Sequence, residues 1–167
     1  MKLAFHIIDE QTARHILTWC YEPPYDFYNL DPEKLESTLA TLLNPENRYH
    51  TIWDENRAVI GYCCFGKDAQ VPGGDYSQEA LDVGMELRPD LTGQGQGTQI
   101  IQAVIVFARQ NFQASQLRVT IAAFNQRALR AWQKVGFEIV NEFVKASDRQ
   151  RFLILNRDIS LNSNLSK

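Results

Sequence analysis

The stretch RPDLTGQGQGTQII, residues 88–101, constrains the fold of this chain more than any other. Gly93, Gly95 and Gly97 stand between an apolar run, Leu81 to Leu87, and a segment with helical periodicity. The apolar face of that segment consists of Ile100, Ile101, Val104, Ile105 and Ala108. A strand that passes through glycines into a helix exposes backbone N–H groups, and the first helical turn adds its own unpaired donors. The sequence therefore predicts a cradle for a phosphate or a similar anion.

Two common nucleotide-binding patterns do not fit this loop. The P-loop ends in Gly-Lys-Ser/Thr, whereas Gly97 is followed by Thr98 and Gln99, and the next lysine comes only at Lys134. The dinucleotide fingerprint G-x-G-x-x-G fails on spacing, and the acidic ribose ligand expected about twenty residues further on is absent. A merely flexible loop is the alternative, but the position between a strand and an amphipathic helix argues against it.

The remaining patterns predict the element order β-α-α-β-β-β-α-β-α-β-β. Predicted strands cover residues 3–8, 49–53, 58–65, 81–87, 117–123, 137–144 and 150–155. Predicted helices cover residues 10–19, the segment opened by Asp31-Pro32, the segment after the glycines, and the segment from Asn125 to about Lys134. We expect a single domain over residues 1–160 and a polar tail over residues 161–167.

Composition narrows the classes of function. The formal charge of −3 disfavours a broad basic face for nucleic acid. The three cysteines are an odd number, and Cys63 and Cys64 would point to opposite faces of a strand, so we expect reduced thiols and a cytoplasmic protein. The sequence shows no signal peptide, no membrane span and no metal-ligand spacing of its histidines. We therefore expect no nucleic-acid, membrane or metal partner.

Two stretches together resemble a known family. The stretch LRPDLTGQGQGTQII resembles motif A of the GNAT-type N-acetyltransferases, and FNQRALRAWQKVGFE resembles their motif B. The interval between the motifs and the full element order also match, so the resemblance covers most of the chain. It implies an α/β (α+β) fold with a mixed, mostly antiparallel sheet of six to seven strands. Helices would cover both faces, and the sheet would splay between the fourth and fifth strands.

The resemblance also implies acetyl-CoA as the co-substrate. The N–H groups from Gln94 to Thr98 would hold its pyrophosphate. Backbone groups of Met85 to Leu87 would pair with its pantetheine arm and hold the acetyl carbonyl. Asn125 would reach the same arm, and it can also serve as a plain helix cap. The cofactor-binding residues implied are Met85, Glu86, Leu87, Thr92, Gly93, Gln94, Gly95, Gln96, Gly97, Thr98, Asn125 and Trp132.

The sequence departs from the family pattern at two positions. Thr92 stands where the family usually has arginine or glutamine, so the loop must depend more on its backbone donors. Trp132 stands where many members have a tyrosine that protonates the departing thiolate. An indole N–H cannot act as an acid at neutral pH, so we expect Trp132 to pack beside the cofactor.

The family often places a general base on the strand before motif A. Asp82 and Glu86 lie four residues apart on that strand and therefore share one face. We expect Glu86 to be the base, because it lies closer to the implied acetyl position, and Asp82 is the alternative. An ordinary surface carboxylate or an ion pair is an equally open role for either residue.

The acceptor site implied by the family lies in the connection between the first two helices, TWCYEPPYDFYNLD. Its aromatic and acidic side chains suit a cationic amine, and we assign the site to Trp19, Tyr25, Asp26 and Tyr28. Each ring has an alternative role as a hydrophobic anchor that holds a proline-containing loop against the sheet.

The leading hypothesis is therefore direct transfer of an acetyl group from acetyl-CoA to a primary amine of a small molecule or peptide, in a ternary complex. An acyl-CoA-binding module with little or no catalysis, serving as a sensor or binding partner, is the alternative. A nucleotide-binding protein is a third possibility, which the missing lysine disfavours. Dimers are common in folds of this kind, and a homodimer is therefore one open prediction for the oligomeric state.

Overall fold

The computed structural model describes residues 1–160, and the predicted polar tail lies outside the described residues. The strands are β1 Ala4–Ile7, β2 His50–Trp53, β3 Val59–Phe65, β4 Leu81–Leu87, β5 Gln116–Ala122, β6 Glu138–Val144 and β7 Arg151–Asp158. The helices are α1 Glu10–Ile16, α2 Leu35–Leu43, α3 Gly97–Phe112 and α4 Gln126–Lys134. This confirms the predicted order. Helix α1 ends earlier than predicted, and Asp31 caps a 3-10 turn that leads into α2.

The seven strands form one mixed sheet in the order β1-β2-β3-β4-β5-β7-β6. The only parallel pair among them is β4 with β5, and it is short. Its register covers Leu81 with Leu117 and Asp82 with Arg118, after which the two strands separate. Beyond that point β4 stays paired with β3 on its other edge, from Val83 through Leu87. The sheet therefore splays between its fourth and fifth strands, as predicted.

Alternation along the strands divides the buried side chains between two faces of the sheet. One face packs on α3 and α4 and contains Cys63 and Phe65 of β3 together with Val83 of β4. The other face packs on α1 and α2, with Tyr62 against the cluster of Ile16, Leu39 and Leu42. Because the helices lie on both faces, the separation of β4 and β5 opens a gap that runs through the middle of the sheet.

Local sequence explains how the chain turns from β4 into α3. Gly93 and Gly95 have φ angles of 76° and 79°, a left-handed conformation that side-chain-bearing residues rarely adopt. The loop ends at Gly97, the first residue of α3, and Gln96 at the cap position makes no side-chain capping bond. At α4 the cap is conventional, because the Asn125 carboxamide accepts from the Ala128 N–H at 3.1 Å.

Candidate active site

A cleft of about 790 Å³ opens where β4 and β5 separate, and its lining joins the glycine loop, β4, β5, α4 and the connection between α1 and α2. Of the residues predicted for the site, those lining the cleft are Tyr25, Tyr28, Met85, Glu86, Leu87, Thr92, Gly93, Gly95, Gly97, Thr98, Asn125 and Trp132. Both predicted halves of the site, the loop and the acceptor side, therefore meet in one cavity.

The glycine loop offers unpaired backbone donors to this cleft. Among the described residues, none accepts a hydrogen bond from the backbone N–H groups of residues 93–99. The first turn of α3 contains no acidic side chain to neutralise the helix dipole. Thr92 adds no donor to the set, because its hydroxyl donates to the Pro89 carbonyl at 2.7 Å. The loop is thus suited to hold an anion through its backbone.

Three cations on α4 line the cleft beside the loop: Arg127, Arg130 and Lys134. Their spacing of three and four residues places them on one side of the helix. The Arg127 guanidinium lies 3.5 Å over the Tyr25 ring. Sequence reasoning did not single them out, although their i, i+3, i+7 spacing was visible in the sequence. They make this wall of the cleft positive in a chain whose net charge is negative.

Glu86 lies in the cleft on the face of β4 that looks toward α1 and α2. Its register partner on β3 is Tyr62. The Tyr21 hydroxyl donates to the Leu87 carbonyl at 2.7 Å and lies 3.4 Å from the Glu86 carboxylate. Burial raises the pKa of Glu86 above its ordinary value, and hydrogen bonds from Tyr62 and Tyr21 offset part of that rise. No Lys or Arg of residues 1–160 forms an ion pair with it.

Asp82 shares the face of Glu86 but has a different environment. Its two carboxylate oxygens accept from Arg118 at 2.7 Å and 2.8 Å, and both side chains are 5% exposed. The Gln70 carboxamide donates to the same carboxylate at 2.8 Å. A carboxylate held in a bidentate ion pair and a third hydrogen bond has no free lone pair directed to the cleft, and Asp82 is not among its lining residues.

Tyrosines form the acceptor-side wall of the cleft: Tyr21, Tyr25, Tyr28, Tyr49 and Tyr62 all line it. Tyr28 accepts from the Asn125 carboxamide at 3.1 Å, which leaves its own O–H free to donate. Burial raises the pKa of Tyr28 above its ordinary value, so this hydroxyl stays protonated at neutral pH. Sequence reasoning named Tyr25 and Tyr28 as site residues but not the other three.

Two residues predicted for the acceptor site lie elsewhere. Trp19 packs against Tyr62, with ring centroids 6.0 Å apart, and belongs to the cluster of α1 and α2. Asp26 is exposed at a 3-10 turn. Of the loop residues, Gln94 and Gln96 also lie outside the lining of the cleft. The aromatic-rich connection therefore contributes some of its rings to the cleft and others to the packing of the helices.

Trp132 and Cys64 both line the cleft while being largely buried in the protein. Trp132 is 3% exposed and packs edge-on against Phe137 at 4.7 Å, as expected for a residue with a packing role. Burial raises the pKa of the Cys64 thiol to about 12, so the thiol stays neutral and is not a nucleophile at neutral pH. Neither Trp132 nor Cys64 therefore offers a basic group in the cleft at neutral pH.

The part of the chain that the structure describes contains no helix long and apolar enough to span a membrane. Within residues 1–160, no group of three or more His, Cys, Asp or Glu side chains is arranged to hold a metal ion. The cleft instead combines backbone donors and the cations of α4 with a carboxylate and several tyrosines. Such a site fits a long anionic ligand that lies beside a smaller cationic one.

Solved structures with this fold include several amine acetyltransferases. A chimera of the spermidine N-acetyltransferase SpeG from Vibrio cholerae and hSSAT aligns with a TM-score of 0.70 and 14% identity, covering 95% of this chain and 96% of the other. Aminoglycoside acetyltransferase AAC(6')-Ib in complex with coenzyme A aligns with a TM-score of 0.72 and 15% identity, covering 94% and 95%. At such identities the likeness shows the fold alone. A comparison with curated proteins found no match.

The sequence itself provides the family assignment. Residues 11–137 match the model of the acetyltransferase (GNAT) family. That span runs from α1 to the end of α4 and so includes the glycine loop, the splayed strands and both resembling motifs. Together with the parallel β4–β5 pair and its cleft, the match shows that this chain belongs to the GNAT family of acetyltransferases.

Proposed function

We propose that this protein transfers the acetyl group of acetyl-CoA to a primary amine of a small molecule or peptide, by direct attack within a ternary complex. One observation carries the proposal: the unpaired donors at the start of α3 and the Glu86 carboxylate line the same cleft. The family match and the amine acetyltransferases among the structural neighbours support it. Bound acetyl-CoA supplies an activated acetyl group as a thioester.

The residues of the cofactor half bind and orient this co-substrate. The N–H groups from Gln94 to Thr98 hold the pyrophosphate. Backbone groups of Met85 to Leu87, where β4 has no β5 partner, pair with the pantetheine arm and polarise the acetyl carbonyl. Asn125 reaches the same arm while it caps α4. Trp132 packs beside the bound co-substrate.

Glu86 acts as the general base that takes a proton from the amine. An amine attacks a thioester only through its neutral form, so the site needs a proton acceptor near the reacting carbon. The raised pKa of Glu86 makes it a better acceptor than an ordinary carboxylate, and it has no cation to compete for its charge. Tyr25 and Tyr28 form the wall against which the amine lies. The Tyr28 ring suits a cationic acceptor, since the Arg127 guanidinium already covers one face of the Tyr25 ring.

Two measurements test the proposal in order. Thermal shift and titration calorimetry with acetyl-CoA, CoA and ATP establish which ligand binds, and a ligand at a hundred times its Kd stabilises the fold by about 2.7 kcal/mol. Release of free thiol across a panel of primary amines then measures transfer. Stabilisation by ATP and not by acetyl-CoA would overturn the proposal.

A second candidate function has one observation in its favour. Trp132 fills the position where many family members have a tyrosine, and it is buried without an O–H group. A domain that binds acyl-CoA as a sensor or binding module does not need an acid to protonate a departing thiolate. Binding of acetyl-CoA with no thiol release for any amine in the panel would favour this candidate. The homodimer and the cytoplasmic location stay predictions.

A further inference from the structure

The glycine loop lacks a long side chain for the anion it is proposed to hold. Thr92 occupies the position of that side chain, and its hydroxyl is engaged by the Pro89 carbonyl at 2.7 Å. The remaining donors of the loop are neutral: its backbone N–H groups and the carboxamides of Gln94 and Gln96, of which that of Gln94 donates to the Asp90 carbonyl. A charged donor contributes more to anion binding than a neutral one, and another element brings a cation to the loop.

Arg127 is that cation. It is the second residue of α4, and it lines the cleft together with Thr92 and Gly93. Its Nη1 atom lies 3.7 Å from the point that a Cβ atom on Gly93 would occupy. The guanidinium thus lies directly against the loop, on the side where the glycine leaves space.

Arg127 also has no acidic partner. The ion pairs of the described residues involve Arg14, Arg88, Arg118, Lys145 and Arg151, and none includes Arg127. Its guanidinium is held instead by the Tyr25 ring, 3.5 Å below it. Stacking uses the face of a guanidinium and leaves the N–H groups at its edge available for an oxyanion.

We propose that Arg127 binds the pyrophosphate of acetyl-CoA and so replaces the long side chain missing at Thr92. Tyr25 is its positioning residue, since the ring keeps the guanidinium beside the loop. The proposal rests on the proposed function, because it names a binding residue of the same site. Arg127 is assigned to the pyrophosphate and not to the other phosphate of CoA, which lies on its ribose.

Calorimetric titration of CoA into the wild-type protein, Arg127→Gln and Arg127→Lys tests the assignment. We expect Arg127→Gln to raise the Kd for CoA by about tenfold to a hundredfold, the loss typical of one hydrogen bond to a charged group. Arg127→Lys keeps the charge but loses the planar fork, and its Kd falls between the two. Arg151→Gln is the control, because it removes the same charge at an exposed position. We expect it to leave the Kd unchanged.

The choice of ligand separates the two phosphate sites. Dephospho-CoA lacks the ribose phosphate, and we expect Arg127→Gln to lose as much affinity for it as for CoA. A defect that disappears with dephospho-CoA assigns Arg127 to the ribose phosphate and overturns the proposal, as does an unchanged Kd for CoA. If the wild-type protein does not bind CoA, the proposed function itself fails.

Tyr25 provides an independent check of the positioning role. Tyr25→Phe keeps the ring under the guanidinium and retains CoA affinity, whereas Tyr25→Leu lowers it. In the Arg127→Gln background, Tyr25→Leu has no further effect on the Kd, because the residue it positions is absent. Additive losses in the double variant would show that Tyr25 acts on CoA without Arg127. Circular dichroism checks that each variant keeps the overall helix content of the wild type.

Discussion

Asp82 and Glu86 lie on the same strand and on the same face, yet the structure treats the two carboxylates differently. Asp82 is held in a bidentate ion pair with Arg118, whereas Glu86 forms no ion pair among the described residues and has the hydroxyls of Tyr62 and Tyr21 beside it. The ion pair engages both oxygens of the Asp82 carboxylate, whereas burial without a cation raises the pKa of Glu86. The surroundings, and not the position on the strand, therefore decide which of the two carboxylates is open to the cleft.

The largest effect is expected from removing the proposed general base, Glu86. We expect Glu86→Gln to lower kcat by about 10²–10⁴-fold, the usual contribution of a general base, with acetyl-CoA affinity retained. Thiol release under saturating acetyl-CoA measures kcat, and calorimetry measures the affinity. Glu138→Gln, at an exposed position on β6, is the matched control. Full activity of Glu86→Gln across the pH range would remove Glu86 from the mechanism.

The converse test breaks the ion pair. Asp82→Asn leaves the Arg118 charge buried without compensation, and we expect a loss of about 3–5 kcal/mol in the free energy of unfolding. Urea unfolding followed by fluorescence measures the loss. Replacing both residues by apolar ones, in Asp82→Leu with Arg118→Met, should recover most of it, because the uncompensated charge is then gone. A mild effect of Asp82→Asn on stability would contradict the structural role.

The pH dependence of kcat tests the raised pKa of Glu86. Because burial raises the pKa of Glu86, kcat should fall with acidification at a midpoint above 4.5, the ordinary value for a glutamate. The base works in its deprotonated form, so activity is retained above that midpoint and lost below it. An acceptor amine whose own pKa lies well below 4.5 stays neutral across this range and does not contribute to the limb. The acidic limb should be absent in Glu86→Gln.

The smallest expected effect concerns the tyrosine that faces Glu86. The hydrogen bond from Tyr62 favours the charged carboxylate and so lowers its pKa. Tyr62→Phe removes that bond, and the acidic limb of kcat should move to higher pH. A shift in the opposite direction would show that Tyr62 favours the protonated acid instead. Tyr49→Phe, whose hydroxyl bonds to Asp68, is the comparison variant.

The sequence predicts those parts of the site that depend on neighbours along the chain. The glycine loop follows from left-handed positions at Gly93 and Gly95, and the start of α4 follows from the Asn125 cap. Both rest on backbone conformations and bonds that span only a few residues, so local patterns suffice to predict them.

Contacts between distant segments were not predictable in this way. Tyr62 faces Glu86 only because of the register of β3 on β4, and the long connection over residues 66–80 does not fix that register. The stacking of Arg127 on Tyr25 joins two segments on opposite sides of the splay. For the same reason, the clustering of aromatic residues did not reveal that Trp19 packs on the helices while Tyr25 lines the cleft.

Asp82 and Arg118 are also the last register partners of β4 and β5 before the strands separate. Their ion pair therefore joins the two strands at the closed end of the gap and sets how deep into the sheet the gap reaches. If β4 and β5 continued to pair beyond this point, protein backbone would occupy the space that lies open from Val83 to Leu87. The space that a ligand can enter therefore begins where this buried ion pair ends the pairing of the two strands.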